Sequence, residues 1–398
     1  MLLIDPPGVH GPGGGLWSHL ASDASYEELH DFAASLGIPR RGFDGDHYDV
    51  PAVLHDRVVA AGAVPVSSRE LAARLVAAGL RRRRTGRPGR RAVGRVLLAP
   101  PPLRPGARVA VVAPSGPVDP ARLAAGVALL RDWGLVVDEP VLPPPGEQPW
   151  LASTDAERAA DLERAWLDEG VDAVWCARGG SGAHRVVDLL DWTALLEVRP
   201  PLLVGFSDTT ALHEAVASRL GLVTVHGPVV AMLPDLDPAA LAATRALVLE
   251  GRVDDLLGAP LLPGRAEGPL VGGNLTVLAA GAGTPTSRPA RGCVAVLEDV
   301  AEPAYRLDRA LTQLLRAGWF DGVHGVACGA FTDCGDPAVV RSLLRARLAP
   351  LGVPVVVDLP VGHQPANRPL PLGARAALDG DAGVLRVPDP LGPGAGRS

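Results

Sequence analysis

From Arg108 onward, short runs rich in Val and Leu alternate with stretches of helical spacing, and this alternation constrains the fold more than any other feature of the chain. Residues 109–112, 135–137, 171–176, 202–204 and 222–225 read as strands. Between them, 120–133, 154–167 and 209–220 read as helices, and Val186, Leu189 and Leu190 mark one face of another. Apolar strands joined by helical connections predict a parallel sheet covered on both faces. Such sheets bind ligands beyond the carboxyl ends of their strands. Two stretches fall there: Arg178-Gly-Gly-Ser-Gly182, and Gly205-Phe-Ser-Asp-Thr209 with Ser207 on the turn from strand to helix.

The pattern changes after residue 234. A helix at 239–249 gives way to an acidic stretch broken by Gly and Pro, and a strand at 294–297 ends in Glu298-Asp299. Leu307, Leu311, Leu314 and Leu315 space a further helix. Strands follow at 323–327 and 353–357, the second running into Gly362-His363, and weaker strand signals occupy 374–387. The fold class expected is α/β: a parallel-sheet lobe at 107–234, an inter-lobe segment at 235–254, a smaller α/β lobe at 255–390 and a disordered tail at 391–398.

A separate small α/β domain precedes these lobes at 1–82. Residues 2–4 read as its first strand; helices at 25–36 and 67–78 begin at Ser25 and Ser67, with Glu28 and Glu70 three residues on. Five of the ten histidines lie in the first 55 residues (His10, His19, His30, His47, His55), among Asp5, Asp23, Asp46 and Asp49. His10, His19, His47 and Asp46 are candidate ligands for a divalent metal. No pair has a diagnostic spacing, so histidines simply hydrogen-bonded within the fold, or binding an anionic ligand, are the other readings. The block at 83–106 alternates Arg with Gly and Pro and reads as a solvated linker; a basic arm for RNA or acidic lipid is the alternative.

Composition narrows the chemistry. All 38 basic residues are Arg, so a P-loop lysine, a Schiff-base lysine and a Ser–Lys dyad are excluded, and a serine nucleophile must use histidine as its base. A net charge of −6 argues against a generic nucleic-acid binder. Apolar runs stop short of the roughly 20 residues a membrane span needs, and Met1-Leu-Leu-Ile-Asp lacks the basic start of an export signal, so a cytoplasmic location away from membranes is expected. Cys176, Cys293, Cys328 and Cys334 form no C-x-x-C pair and read as reduced core residues.

Ser207, Glu298 and His363 each stand at or just past the end of an apolar strand. A hydroxyl becomes a useful nucleophile when an imidazole takes its proton, and the imidazole needs a carboxylate to fix its tautomer. Their order, Ser then Glu then His, is that of hydrolases displaying serine on a strand-turn-helix elbow, although Thr209 replaces the final glycine of G-x-S-x-G. Singly, Ser207 or Asp208 reads equally as a helix cap, Glu298 as a surface acid and His363 as a loop histidine. Together, with lysine excluded, the catalytic reading outweighs these. A nucleotide-binding module using Arg178-Gly-Gly-Ser-Gly182 as an anion cradle is the rival of another class; it lacks the full G-x-G-x-x-G pattern.

Ala113-Pro-Ser-Gly-Pro117, Arg178-Gly-Gly-Ser-Gly182, Gly205-Phe-Ser-Asp-Thr-Thr-Ala-Leu212, His226-Gly-Pro228, Gly272-Gly-Asn-Leu275, Leu297-Glu-Asp299 with Tyr305-Arg-Leu-Asp308, and Gly362-His363 with Leu370-Pro-Leu-Gly373 together resemble the LD-carboxypeptidases. That family includes murein tetrapeptide carboxypeptidases and microcin C self-immunity peptidases. The resemblance runs in order over about residues 100 to 385. It implies Ser207 as nucleophile, His363 as base, Glu298 as orienting acid, and an oxyanion hole from the N–H groups of Asp208 and of Gly179 or Gly180. It also implies amide hydrolysis of a small peptide or aminoacyl-nucleotide conjugate without metal or organic cofactor, and often a homodimer. Ser181 stands where the family usually has an aromatic, a departure bearing on substrate choice. Residues 1–82 resemble a small bacterial domain family of unestablished function.

Overall fold

The structure, a computed structural model, describes residues 1–7, 9–10, 16–38, 43, 46–80, 97–140, 148–388 and 390–391. Most of the expected linker and nearly all of the expected tail lie outside these residues. Two compact units form, Met1–Gly89 and Arg90–Ser398.

The first unit is built around strand Leu16–Ser22, which pairs antiparallel with Leu2–Ile4, Val9–His10 and Tyr48–Pro51; Val64–Pro65 adds in parallel beside Leu2–Ile4. Side chains alternate across a strand, so Ile4, Leu20, Tyr48 and Val50 pack with Leu29 and Val58 in one core. Leu3 and Ala21 face the other way, onto Leu71 and Leu75 of helix Ser68–Ala77. Both expected caps form: Ser25 accepts from the Glu28 N–H and Ser67 from the Glu70 N–H. Glu28 does not return to its cap; its carboxylate bonds Ser22 and the N-terminal ammonium.

In the second unit, a six-stranded sheet runs in the order Leu370–Leu372, Thr224–His226, Leu202–Gly205, Ala173–Cys176, Arg108–Val112, Val136–Asp138. All but the first of these strands are parallel. Its two faces are buried by separate cores, one holding Val109, Trp175 and Val204, the other Val112, Val174 and Leu203. Continuous burial of these strands is why they read as unbroken apolar runs. An eight-stranded sheet is centred on four parallel strands, Arg265–Asn274, Val294–Val300, Gly325–Thr332 and Val355–Val357.

Three departures from the sequence reading bear on the site. The helix expected at 209–220 begins at Thr210, preceded by a tight turn over Ser207–Thr209. Strand Arg265–Asn274, hidden by its glycines and Pro269, is the longest in the chain's described residues and delivers Asn274 beside Glu298. Strand Leu370–Leu372 leaves the second sheet's part of the chain and pairs with Thr224–His226 at the edge of the first. The loop carrying His363 is thereby tied to both sheets.

Candidate active site

Ser207 follows strand Leu202–Gly205 and has φ +64°, a left-handed conformation that non-glycine residues rarely adopt. Strain of this kind, held by surrounding structure, turns the side chain away from the sheet. Glu298 lies in strand Val294–Val300, fully buried, and His363 in the loop after Val355–Val357. The three meet in one line. The Ser207 hydroxyl donates to His363 Nε2 at 3.0 Å, and His363 Nδ1 donates to Glu298 Oε2 at 2.7 Å. An ionised carboxylate only accepts, so it selects the tautomer whose Nε2 lone pair faces the serine. Burial pushes the Glu298 carboxyl above its ordinary pKa, and the hydrogen bond from His363 opposes that shift.

Neighbouring groups fix this line. Gly362, at φ +111°, brings its backbone so close to Glu298 that an added Cβ would fall 2.8 Å from Oε2. Its N–H is held by Asn367 Oδ1 at 2.9 Å, which sets the approach of the histidine loop. Phe206 packs against the His363 ring at a centroid distance of 4.6 Å. Asp299 points away from His363: its carboxylate accepts from Asn274 Nδ2 and from the Thr276 N–H and hydroxyl, joining the ends of two parallel strands. Below the serine, His213 is buried, bonded to Thr224 and to the Gly205 carbonyl, and its pKa falls to about 4 because burial disfavours charge. It is a neutral brace for the elbow.

The glycine loop closes the other side. A Cβ on Gly179 would stand 2.9 Å from Ser207 Cβ and 3.1 Å from its Oγ, so only glycine permits this approach. The Gly179 carbonyl accepts from the Gly116 N–H at 3.0 Å. A trans peptide points its N–H opposite to its carbonyl, so the Gly180 N–H is directed away from Gly116. The Asp208 N–H is in the first turn after the serine, where a helical start leaves donors unpaired. The Asp208 side chain accepts from the Ala183 N–H at 2.8 Å, pinning the loop to the elbow. Buried Arg158 spans the carbonyls of Pro114 and Gly182, tying 113–116 to the same loop. Ser181 is exposed beside it.

A cleft of about 570 Å³ opens over Ser207 and His363. Val118, Val229 and Met232 give it an apolar wall, and Arg122 and Arg178 a basic one. Arg122 is paired with Asp235, while Arg178 donates to the Pro117 carbonyl at 2.6 Å and is otherwise exposed. All four cysteines are buried and free. Among the described residues no helix is long and apolar enough to cross a membrane.

Sequence reasoning gave no role to Asn367, Asp299, Asn274 or Thr210: Asn367 holds the Gly362 N–H, Asp299 accepts from the Asn274 side chain, and the Thr210 hydroxyl accepts from the Asn274 N–H at 3.0 Å, tying the two sheets together beside the site. Of the candidate ligands in the first unit, the side chain of His10 lies outside the described residues. His19 and His47 come together, but their companion is Asp49; Asp46 hydrogen-bonds His47 Nδ1 instead.

An elbow serine, an imidazole and a buried carboxylate on a parallel α/β frame have the arrangement of the serine hydrolases. The chain belongs to the LD-carboxypeptidase family of serine peptidases: the family's N-terminal domain matches residues 109–227 and its C-terminal domain residues 267–378. Residues 2–78 match a domain family described only as a protein of unknown function, DUF4031. A Streptomyces coelicolor protein whose name assigns it provisionally as a carboxypeptidase is 52% identical over 303 residues, covering 74% of this chain and 98% of the relative. The murein tetrapeptide carboxypeptidase of Pseudomonas aeruginosa is 40% identical over 250 residues, covering 58% of this chain and 80% of that protein. Among solved structures, the muramoyltetrapeptide carboxypeptidase of Oxalobacter formigenes aligns with TM-score 0.63 and 29% identity, covering 70% of this chain and 97% of that one. The microcin C7 self-immunity protein MccF shares the fold with TM-score 0.66 at 21% identity, covering 75% of this chain and all of its own.

Proposed function

We propose that Ser207 is the nucleophile of an LD-carboxypeptidase that releases terminal D-Ala from murein tetrapeptides, with His363 as general base and Glu298 as orienting acid. The observation that carries this is the unbroken hydrogen-bonded line from Ser207 through His363 to Glu298. In the first half-reaction Ser207 Oγ attacks the carbonyl carbon of the scissile amide while its proton passes to His363 Nε2. Charge builds on the carbonyl oxygen, opposite the N–H groups of Asp208 and the Gly179-Gly180 turn, where pre-oriented donors act without reorganising. His363 then gives the proton to the leaving D-Ala nitrogen, the C–N bond breaks, and an ester to Ser207 remains. Water, deprotonated by the same imidazole, hydrolyses that ester.

Two features favour a peptide ending in a free carboxylate. Arg178, bonded to a carbonyl and not to an acid, puts positive charge at the rim, and the cleft is small enough to fit a short peptide end better than a folded chain. Ser181, in place of an aromatic, leaves more room beside the oxyanion loop. Muropeptide fragments as substrate fit a role in peptidoglycan recycling in the cytoplasm, and a homodimer belongs to the same reading.

A second reading rests on the fold shared with MccF, one of whose structures holds glutamyl sulfamoyl guanosine. Higher identity to the murein enzyme favours the first. Mass analysis after incubation with a murein tetrapeptide and, separately, with an aminoacyl-nucleotide conjugate decides between them. Loss of one alanine from the tetrapeptide alone is expected; cleavage of the conjugate alone would overturn the substrate assignment.

A further inference from the structure

We infer that the N-terminal unit carries a divalent-cation site formed by His19 Nε2, His47 Nε2 and a carboxylate oxygen of Asp49, of a kind suited to zinc or a similar first-row ion. The backbone register builds it. His19 and Asp49 are directly opposed across the antiparallel pair of Leu16–Ser22 and Tyr48–Pro51, so their side chains leave the same face of the sheet. His47 is two residues before Asp49 and shares that face. The three ligand atoms lie within 4.8 Å of one another, and this is the one grouping of its kind among the described residues. His47 Nε2 stands 3.4 Å from Asp49 Oδ1, and His19 Nε2 4.0 Å. A tetrahedral ion bound at about 2.0–2.1 Å separates its ligands by about 3.3 Å, close to the His47–Asp49 distance and about 0.7 Å short of the His19–Asp49 one, a gap that a small shift of the Asp49 side chain closes.

The layer behind these ligands gives the second, independent argument. Each histidine presents Nε2 because a buried carboxylate takes its Nδ1: Asp5 Oδ2 lies 2.8 Å from His19 Nδ1, and Asp46 Oδ1 2.6 Å from His47 Nδ1. Asp5 is itself braced, its other oxygen accepting the His19 backbone N–H and its carboxylate bonded by Ser68 at the start of helix Ser68–Ala77. Histidines that bind metal are oriented in this way by a carboxylate behind them. The two rings lie edge to face at 84°, with centroids 4.8 Å apart, so they approach closely on the same face. Asp49 is the most exposed of the three, which leaves solvent access and a coordination position for water. Two imidazoles and one carboxylate suit zinc, cobalt or iron(II) and not calcium or magnesium, which prefer oxygen alone.

The test uses the full-length chain, stripped with chelator and titrated with CoCl2, then with ZnCl2 as competitor. One equivalent of cobalt with visible d–d absorption, displaced by zinc, is expected. His19→Gln and His47→Gln should abolish it, Asp5→Asn should keep the stoichiometry but weaken binding by about 10–100-fold, and Ser207→Ala should bind as the unaltered chain does. No saturable binding, or binding unchanged in both histidine variants, overturns the site. Should those variants fail to fold, carbethoxylation of the unaltered chain still decides. Zinc should protect His19 and His47 while leaving His55 reactive; equal modification with and without zinc would refute the assignment.

Discussion

His363 and His47 meet buried carboxylates through Nδ1 at almost the same distance, 2.7 Å on Glu298 and 2.6 Å on Asp46. What faces the other nitrogen differs. In the peptidase unit Nε2 looks at a hydroxyl held in a strained turn, and in the N-terminal unit at a second carboxylate with another imidazole close by. A carboxylate behind an imidazole fixes its tautomer and leaves the lone pair of the far nitrogen facing outward in either place. On the readings proposed above, that lone pair takes a proton opposite a hydroxyl and would hold a cation opposite anionic and neutral ligand atoms. On those readings one local device would serve two chemistries, with the partner across the gap deciding which.

The largest effect is expected from Ser207→Ala, which should lower the rate of D-Ala release by about 10⁶-fold, because nucleophile and base act as a unit. Its cobalt titration should be unchanged. Glu298→Gln should cost about 10⁴-fold in kcat by losing the tautomer and the stabilisation of the imidazolium. Stability should move the other way. An acid whose pKa is raised on folding contributes stability that is fully present below its unfolded value of 4.5 and is lost as pH rises through its folded value. The glutamine variant escapes that loss, so its Tm relative to the unaltered chain should rise between pH 4.5 and pH 7; a relative fall would contradict the assigned shift. Gly179→Ala forces a methyl against Ser207 and should lower kcat by about 10²–10³-fold, through displaced donors and a displaced hydroxyl, and lower Tm as well, because the buried clash has to be relieved by a shift. The smallest effect belongs to Asp5→Asn, whose 10–100-fold weaker metal binding should leave peptide hydrolysis untouched.

Ser207, Glu298 and His363 were legible because each stands at or just past the carboxyl end of a parallel strand, Ser207 on the six-stranded sheet and Glu298 and His363 on the eight-stranded one, and these strand ends face one another. The strand Arg265–Asn274 was not, since Gly268, Pro269, Gly272 and Gly273 read as breakers. Those glycines mark close approach: a Cβ on Gly272 would fall 2.1 Å from the Val296 carbonyl oxygen of the neighbouring strand. Asn367 and Asp299 carry no periodic signal, since their role depends on contacts 5 and 25 residues away. In the N-terminal unit the histidines stood out by composition, whereas Asp49 becomes their companion only through cross-strand register, which a polar stretch between two short strands does not announce.

Hydrolysis at this cleft requires Ser207 to be the activated hydroxyl. Treating the full-length chain with a fluorophosphonate and mapping the adduct by peptide mass spectrometry addresses this directly. A single adduct on Ser207, slowed strongly in His363→Ala and absent in Ser207→Ala, is the expected result. Labelling at another serine, or labelling that persists in Ser207→Ala, would contradict it.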